Sequence, residues 1–224
     1  MSGIWPRDRF VVRHLDPGSR LGEVLFGLIM VLCATLTTGV AAVGDPDGAR
    51  ELLYAAIGCN VAWGLIDAVM YVMGCMTARA GVAGLIRSIR ASRSRPEALE
   101  LVRRDLGSRL EVSASERQTE ELSRACLDYL SASEPPPIWV LGDFFGAFAC
   151  FWLVFLSCLP AALPFLLIAE PAVALRVSNL LLIGMLFAVG YKWASHAGTS
   201  RLLSGLVMVA IGLLLVGTAV VLGG

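Results

Sequence analysis

Long apolar runs, separated by short polar joints and one extended polar stretch, set the pattern of this chain. Five runs approach or exceed the roughly 20 residues that a helix needs to cross a bilayer. They lie at about 22–43, 52–76, 138–168, 172–191 and 202–222. The pattern predicts an all-α membrane protein with five transmembrane helices. The third run is long enough to hold a tilt or a break, and it carries Pro160 and Pro164. A mostly polar segment with four arginines precedes the first run, and no small-residue cleavage site follows a short apolar core. The first run therefore reads as a retained span.

The boundaries that follow are an N-terminal segment 1–21, transmembrane helices one and two within 22–76, an insert over 77–137, and helices three to five within 138–224. Inside the insert, Val82, Leu85, Ile86 and Ile89 recur at helical spacing. A second helix opens near Pro96, with acids early and arginines late, as the helix dipole prefers. A third starts at Ser113 or Ser115, where Ser113-x-x-Glu116 fits a capping box. A piece of about sixty residues buries little surface alone, so it is expected to pack on a dimer mate or on the membrane face.

Composition agrees with a membrane setting. The chain is 57% hydrophobic and 16% charged, with mean hydropathy +0.74; soluble domains carry about 25% charged residues. Net charge is zero, which argues against a nucleic-acid partner, since such proteins are usually basic. Arginines sort the joints between spans. Arg7, Arg9, Arg13 and Arg20 precede the first span, and ten arginines from Arg79 to Arg124 lie in the insert. "GDPDGARE" holds one arginine against three acids, and only Arg176 lies near the turn after the third span. This alternation predicts a cytoplasmic N-terminus and a C-terminus outside.

The six cysteines (Cys33, Cys59, Cys75, Cys126, Cys150 and Cys158) form no CxxC, and five lie inside spans. There a thiol behaves as a small apolar residue. Neither a disulfide framework nor a cysteine metal cluster is expected. That, with the lack of an extended targeting segment, favours a bacterial inner membrane over a vacuole.

The second span, "GCNVAWGLIDAVMYVMGCM", carries Asn60 and Asp67. At about 100° per residue, Asn60, Gly64, Asp67, Tyr71 and Gly74 share an arc of about 80°, with Met70 on its border. Glu23, Gly27, Met30, Ala34 and Thr37 share a face of the first helix by the same arithmetic. Small and polar faces are also how membrane helices pack closely, and Asn60, Tyr71 and Thr37 suit that role. Glu23 reads equally as an interfacial carboxylate beside Arg20 or as a functional one, and Asp143 reads as structural. Asp67 is the deepest acid and has no intramembrane Lys or Arg to pair with. Such a group marks a site for a substrate, ion or proton by default.

Methionine is usually adaptable filler. Combined with carboxylates, however, its thioether suits ferrous iron or a similar transition metal better than calcium or magnesium. His14 and His196 lie outside the spans, which gives no support to a histidine-rich zinc pathway. There is no HExxH, GxSxG or phosphate-binding glycine loop. An intramembrane aspartyl protease would want two central aspartates. The chain is thus not expected to be an enzyme.

"PPPIWVLGDFFGAFACFWLVFLSCLPAALPFLLI" resembles the third span of the vacuolar iron transporter family through Pro160, Pro164 and Phe165. The tail is similar to that family's ending through Gly190, Arg201, Gly205, Met208, Gly212 and a terminal glycine. The five-span layout with a helical insert resembles it as well. The resemblance implies a homodimer moving ferrous iron or manganese out of the cytoplasm, in exchange for protons, along the first two helices of each protomer. Met30 stands where the family has an aspartate, the acid of the second span is shifted to Asp67 with Met70 after it, and the insert lacks the family's paired methionines and glutamates. Its Glu97, Glu100, Glu116, Glu120 and Glu121 either collect a cation or form a solvated face balanced by arginines.

The expected pathway at the dimer seam comprises Glu23, Met30, Asn60, Asp67, Met70 and Tyr71, with Glu23, Met30, Asp67 and Met70 as ligands of the transported metal. No resident cofactor is expected, and the lipid bilayer and a second copy are the expected partners. The rival readings are a non-transporting scaffold or sensor whose insert docks a cytoplasmic partner, and transport of an organic cation.

Overall fold

The computed structural model describes residue 15 and residues 17–37, 46–109 and 115–221. Among these are seven helices and no strand: α1 Pro17–Thr37, α2 Pro46–Ala91, α3 Arg95–Arg109, α4 Glu116–Ala132, α5 Leu141–Leu167, α6 Pro171–Ala197 and α7 Arg201–Val221. Four are long and apolar enough to cross a membrane: α2 over Tyr54–Ala91, then α5, α6, and α7 over Arg201–Thr218. The class is therefore all-α, with the helices of a multi-pass membrane protein. α1 covers residues 22–37 of the first expected span, and residues 38–43 lie outside the described ones.

The chain forms two compact units, Met1–Val72 with Gly142–Gly224, and Met73–Leu141. In the first, a shared core takes Leu28, Val31 and Leu32 from α1, Cys158 and Ala161 from α5, Leu182, Leu186 and Val189 from α6, and Val216 from α7. Lipid tails are as apolar as leucine, so these helices associate by close packing and by bonds across the contact. Glycines set the approach of α6 to α7. A Cβ on Gly190 would lie 2.5 Å from the Ser204 carbonyl oxygen, and one on Gly205 would lie 2.5 Å from the Phe187 ring. α6 ends at Ala197, and the left-handed φ of 68° at Gly198 turns the chain so that the Thr199 N–H donates to the Ala194 carbonyl at 3.3 Å.

α5 keeps its helical course through Pro160 and Pro164. Neither proline has an N–H, so the carbonyls of Leu156 and Pro160 lose their in-helix donors. Nearby, the Ser157 hydroxyl donates to the Val154 carbonyl at 2.7 Å, and Ser178 of α6 donates to that of Ala161 at 2.8 Å.

In the second unit, Ile89 from the end of α2, Ala98 and Val102 from α3, and Leu127 from α4 make a small core. Two findings revise the sequence expectations. The first helix expected in the insert is the continuation of α2, because residues 77–91 hold good helix formers and no proline. The capping box of α4 is Ser115 with Gln118, not Ser113 with Glu116. Glu116 is the first helical residue, so its side chain cannot fold back as the third residue of a cap does.

Candidate ion site

The polar arc of α2 faces α1 and α5. Asn60 lies beside Gly27 and Asp67 beside Glu23, so α1 and α2 run antiparallel. The Glu23 and Asp67 carboxyl groups are within hydrogen-bonding reach of each other. An ionised carboxylate only accepts, so a bond between two carboxyls needs a proton on one of them. Such a pair holds one negative charge and one proton, or takes a cation in the proton's place.

The thiol of Cys150, fully buried on α5, is in reach of Glu23 from the third side. Asp67 Oδ2 is buried and accepts no hydrogen bond from the described residues. Leu15, Ala149 and Cys150 form a small apolar cluster, with Tyr71 and Leu153 packed against it. Tyr71 is placed by the absence of a side chain opposite, since a Cβ on Gly146 would fall on its ring.

One turn further along α1 the three helices come closest. A Cβ on Gly27 would overlap the Ser157 hydroxyl, lie 2.8 Å from the Val154 carbonyl oxygen and 3.3 Å from Asn60 Oδ1. On α2, a Cβ on Gly64 would lie 3.1 Å from the Phe151 ring. Asn60 has no exposed surface. Its Nδ2 donates to the Ala56 carbonyl at 3.1 Å, which turns Oδ1 away from its own helix, and Oδ1 accepts nothing from the described residues. Two turns beyond Gly27, the Thr35 hydroxyl is 2.7 Å from Asn179 Oδ1 of α6.

Of the residues proposed from sequence, the structure brings Glu23, Asp67, Asn60 and Tyr71 to the contacts of α1, α2 and α5. Met70, at the border of the arc, is 62% exposed, and Met30 is partly buried on α1. Gly74 has no neighbour within 4 Å of its added Cβ. Asp143 is buried in the first turn of α5. Among the described residues, no three His, Cys, Asp or Glu side chains converge as a metal-holding group.

Glu97, Glu116, Glu120 and Glu121 of the second unit are exposed and engaged. The Glu97 carboxylate accepts from the Arg93 N–H at 2.9 Å. Glu116 lies 3.6 Å from Arg103, Glu121 3.0 Å from Arg117, and Glu120 2.5 Å from Arg124. Glu100 is exposed on α3.

Cys150, Ser157 and Asn179 were not singled out from sequence. A signal for the first two was present: Gly146, Cys150, Val154, Ser157 and Ala161 recur every three or four residues on α5, and all are buried.

These features define a class, an all-α protein with helices long and apolar enough to span a membrane and a partly buried carboxyl pair between α1 and α2. No protein-family model matches the chain, and no characterised protein matches it at a significant level of similarity.

Proposed function

We propose that this chain is a transporter exporting a divalent transition metal, ferrous iron or manganese, from the cytoplasm in exchange for protons. The observation that carries this reading is the contact of Glu23 with Asp67 inside an apolar helix bundle. A lone ionised side chain at the bilayer centre costs about 2.5–3.5 kcal/mol on insertion scales, and two acids side by side add repulsion. A site that trades one proton for a cation removes that repulsion at each step of a cycle. In this reading α1 belongs to a fifth span, the arginine-rich joints stay in the cytoplasm of a bacterium, and the chain works as a homodimer. The resemblance to vacuolar iron transporters supports the cargo.

The test is reconstitution in liposomes with a metal-sensitive dye. Wild-type protein passes Mn2+ or Fe2+, and Asp67→Asn or Glu23→Gln lowers the flux to background. Failure of the wild type to move any first-row divalent metal would sink the proposal.

One observation favours the scaffold reading: the arginine pairing of Glu116, Glu120 and Glu121 leaves the insert's acids committed to a solvated surface. Under that reading both carboxyl variants leave the protein's cellular role intact.

A further inference from the structure

Polar side chains continue from the carboxyl pair into the far half of α1, all inside one protomer. Glu23, Asp67 and Cys150 mark one level, Asn60 and Ser157 the next, and Thr35 with Asn179 the last. From Glu23 to Thr35 is twelve residues of helix, or about 18 Å at 1.5 Å per residue, out of a hydrocarbon thickness of about 30 Å. Between the last two levels lies a cavity of about 10 Å³, lined by Val31, Thr35, Ala56, Cys158 and Ala161 among others. That is about the least volume that admits one water.

Asn60 is the feature packing does not explain. A carboxamide there for helix contact alone would bond across the interface with both ends. Its nitrogen bonds to its own helix, at Ala56. Its oxygen, fully buried, is left without a donor at the close contact of Gly27 with Ser157 and the Val154 carbonyl. A buried acceptor without a donor costs stability and calls for an explanation. An acceptor-only oxygen suits a metal cation, a hydronium ion or a water travelling with either.

We propose that Asn60 Oδ1 is a second cation station, about two helical turns from the Glu23–Asp67 pair, and that the ion's route runs through the interior of each protomer rather than along a seam between two. This rests on the transport reading and sharpens it: the Ser157 hydroxyl fills the space beside Gly27, so it must swing aside for the permeant species, and a metal must shed most of its water to pass.

Two measurements on vesicles of phosphatidylethanolamine and phosphatidylglycerol, with Mn2+ as probe, test it. Wild-type and Asp67→Asn chains are mixed in detergent and reconstituted together. With one route per protomer, equal mixing leaves about a half of the flux, whereas a seam needing both acids leaves about a quarter, since a two-fold interface uses each residue twice. In the second, Asn60→Leu is expected to lower flux roughly tenfold or more, the scale of one hydrogen bond to a charged species, and Asn60→Asp, which keeps an acceptor, to retain most of it. Should the leucine variant misfold, the mixing experiment still decides. A quarter of the flux on equal mixing, or a fully active Asn60→Leu, overturns the inference and leaves the transport reading standing. No Mn2+ flux from the wild type overturns both.

Discussion

Gly27 matters for what it lacks. Its hydrogen lets α5 approach until the Ser157 hydroxyl occupies the space of a methyl group. Gly27→Ala is therefore expected to destabilise the protein by about 1–3 kcal/mol, the range for forcing atoms into a packed site, read as a lower melting temperature in detergent. Adding Ser157→Ala should recover only part of the loss, because the Val154 carbonyl oxygen remains 2.8 Å from the new carbon. At this scale the sequence is informative within a helix and mute between helices. Periodicity places Asn60, Gly64, Asp67 and Tyr71 on one face of α2, where the structure has its contacts with α1 and α5. Nothing in the spacing says which residue of α1 stands opposite Asp67, nor that Cys150 reaches the same place. A cysteine in an apolar run looks like filler until its neighbour is known.

Helix ends obey local chemistry and are correspondingly easier to read, within limits. The SASERQ stretch offers two serines, and only one starts α4. Ser115 accepts from the Gln118 N–H at 3.3 Å, and Gln118 Oε1 accepts in return from the Ser115 N–H at 3.1 Å. Ser115→Ala is expected to cost about 0.5–2 kcal/mol, seen as faster amide hydrogen exchange over residues 116–120 with little change in α3. The start of the insert was less legible, because arginines and glycines after residue 76 suggest a joint. Neither stops a helix: arginine is a good helix former, and an isolated glycine costs about 1 kcal/mol relative to alanine. α2 thus runs on to Ala91.

For the molecule as a whole, the run lengths made the class plain, and the arginine pattern carries the orientation that we propose. In a Cys126→Ser background, Glu134→Cys and Ala169→Cys place one thiol at an exposed position on each expected side. A membrane-impermeant maleimide should label position 169 in intact cells and position 134 in inside-out vesicles; the opposite result would reverse the direction of export. Composition could not foresee how unevenly the spans are covered. In its most apolar window α5 is 39% buried and α2 only 6%. Outside its contacts with α1 and α5, the apolar window of α2 is largely exposed.

The prolines of α5 bear on how the protein enters the bilayer. Travelling alone, this helix would carry the unbonded carbonyls of Leu156 and Pro160 into hydrocarbon, where each exposed backbone group costs several kcal/mol. α6 follows after only Ile168, Ala169 and Glu170, and its Ser178 already reaches back to the same turn. The translocon is thus expected to release the two as a joined hairpin, and a chain truncated after Leu167 to be held back or degraded.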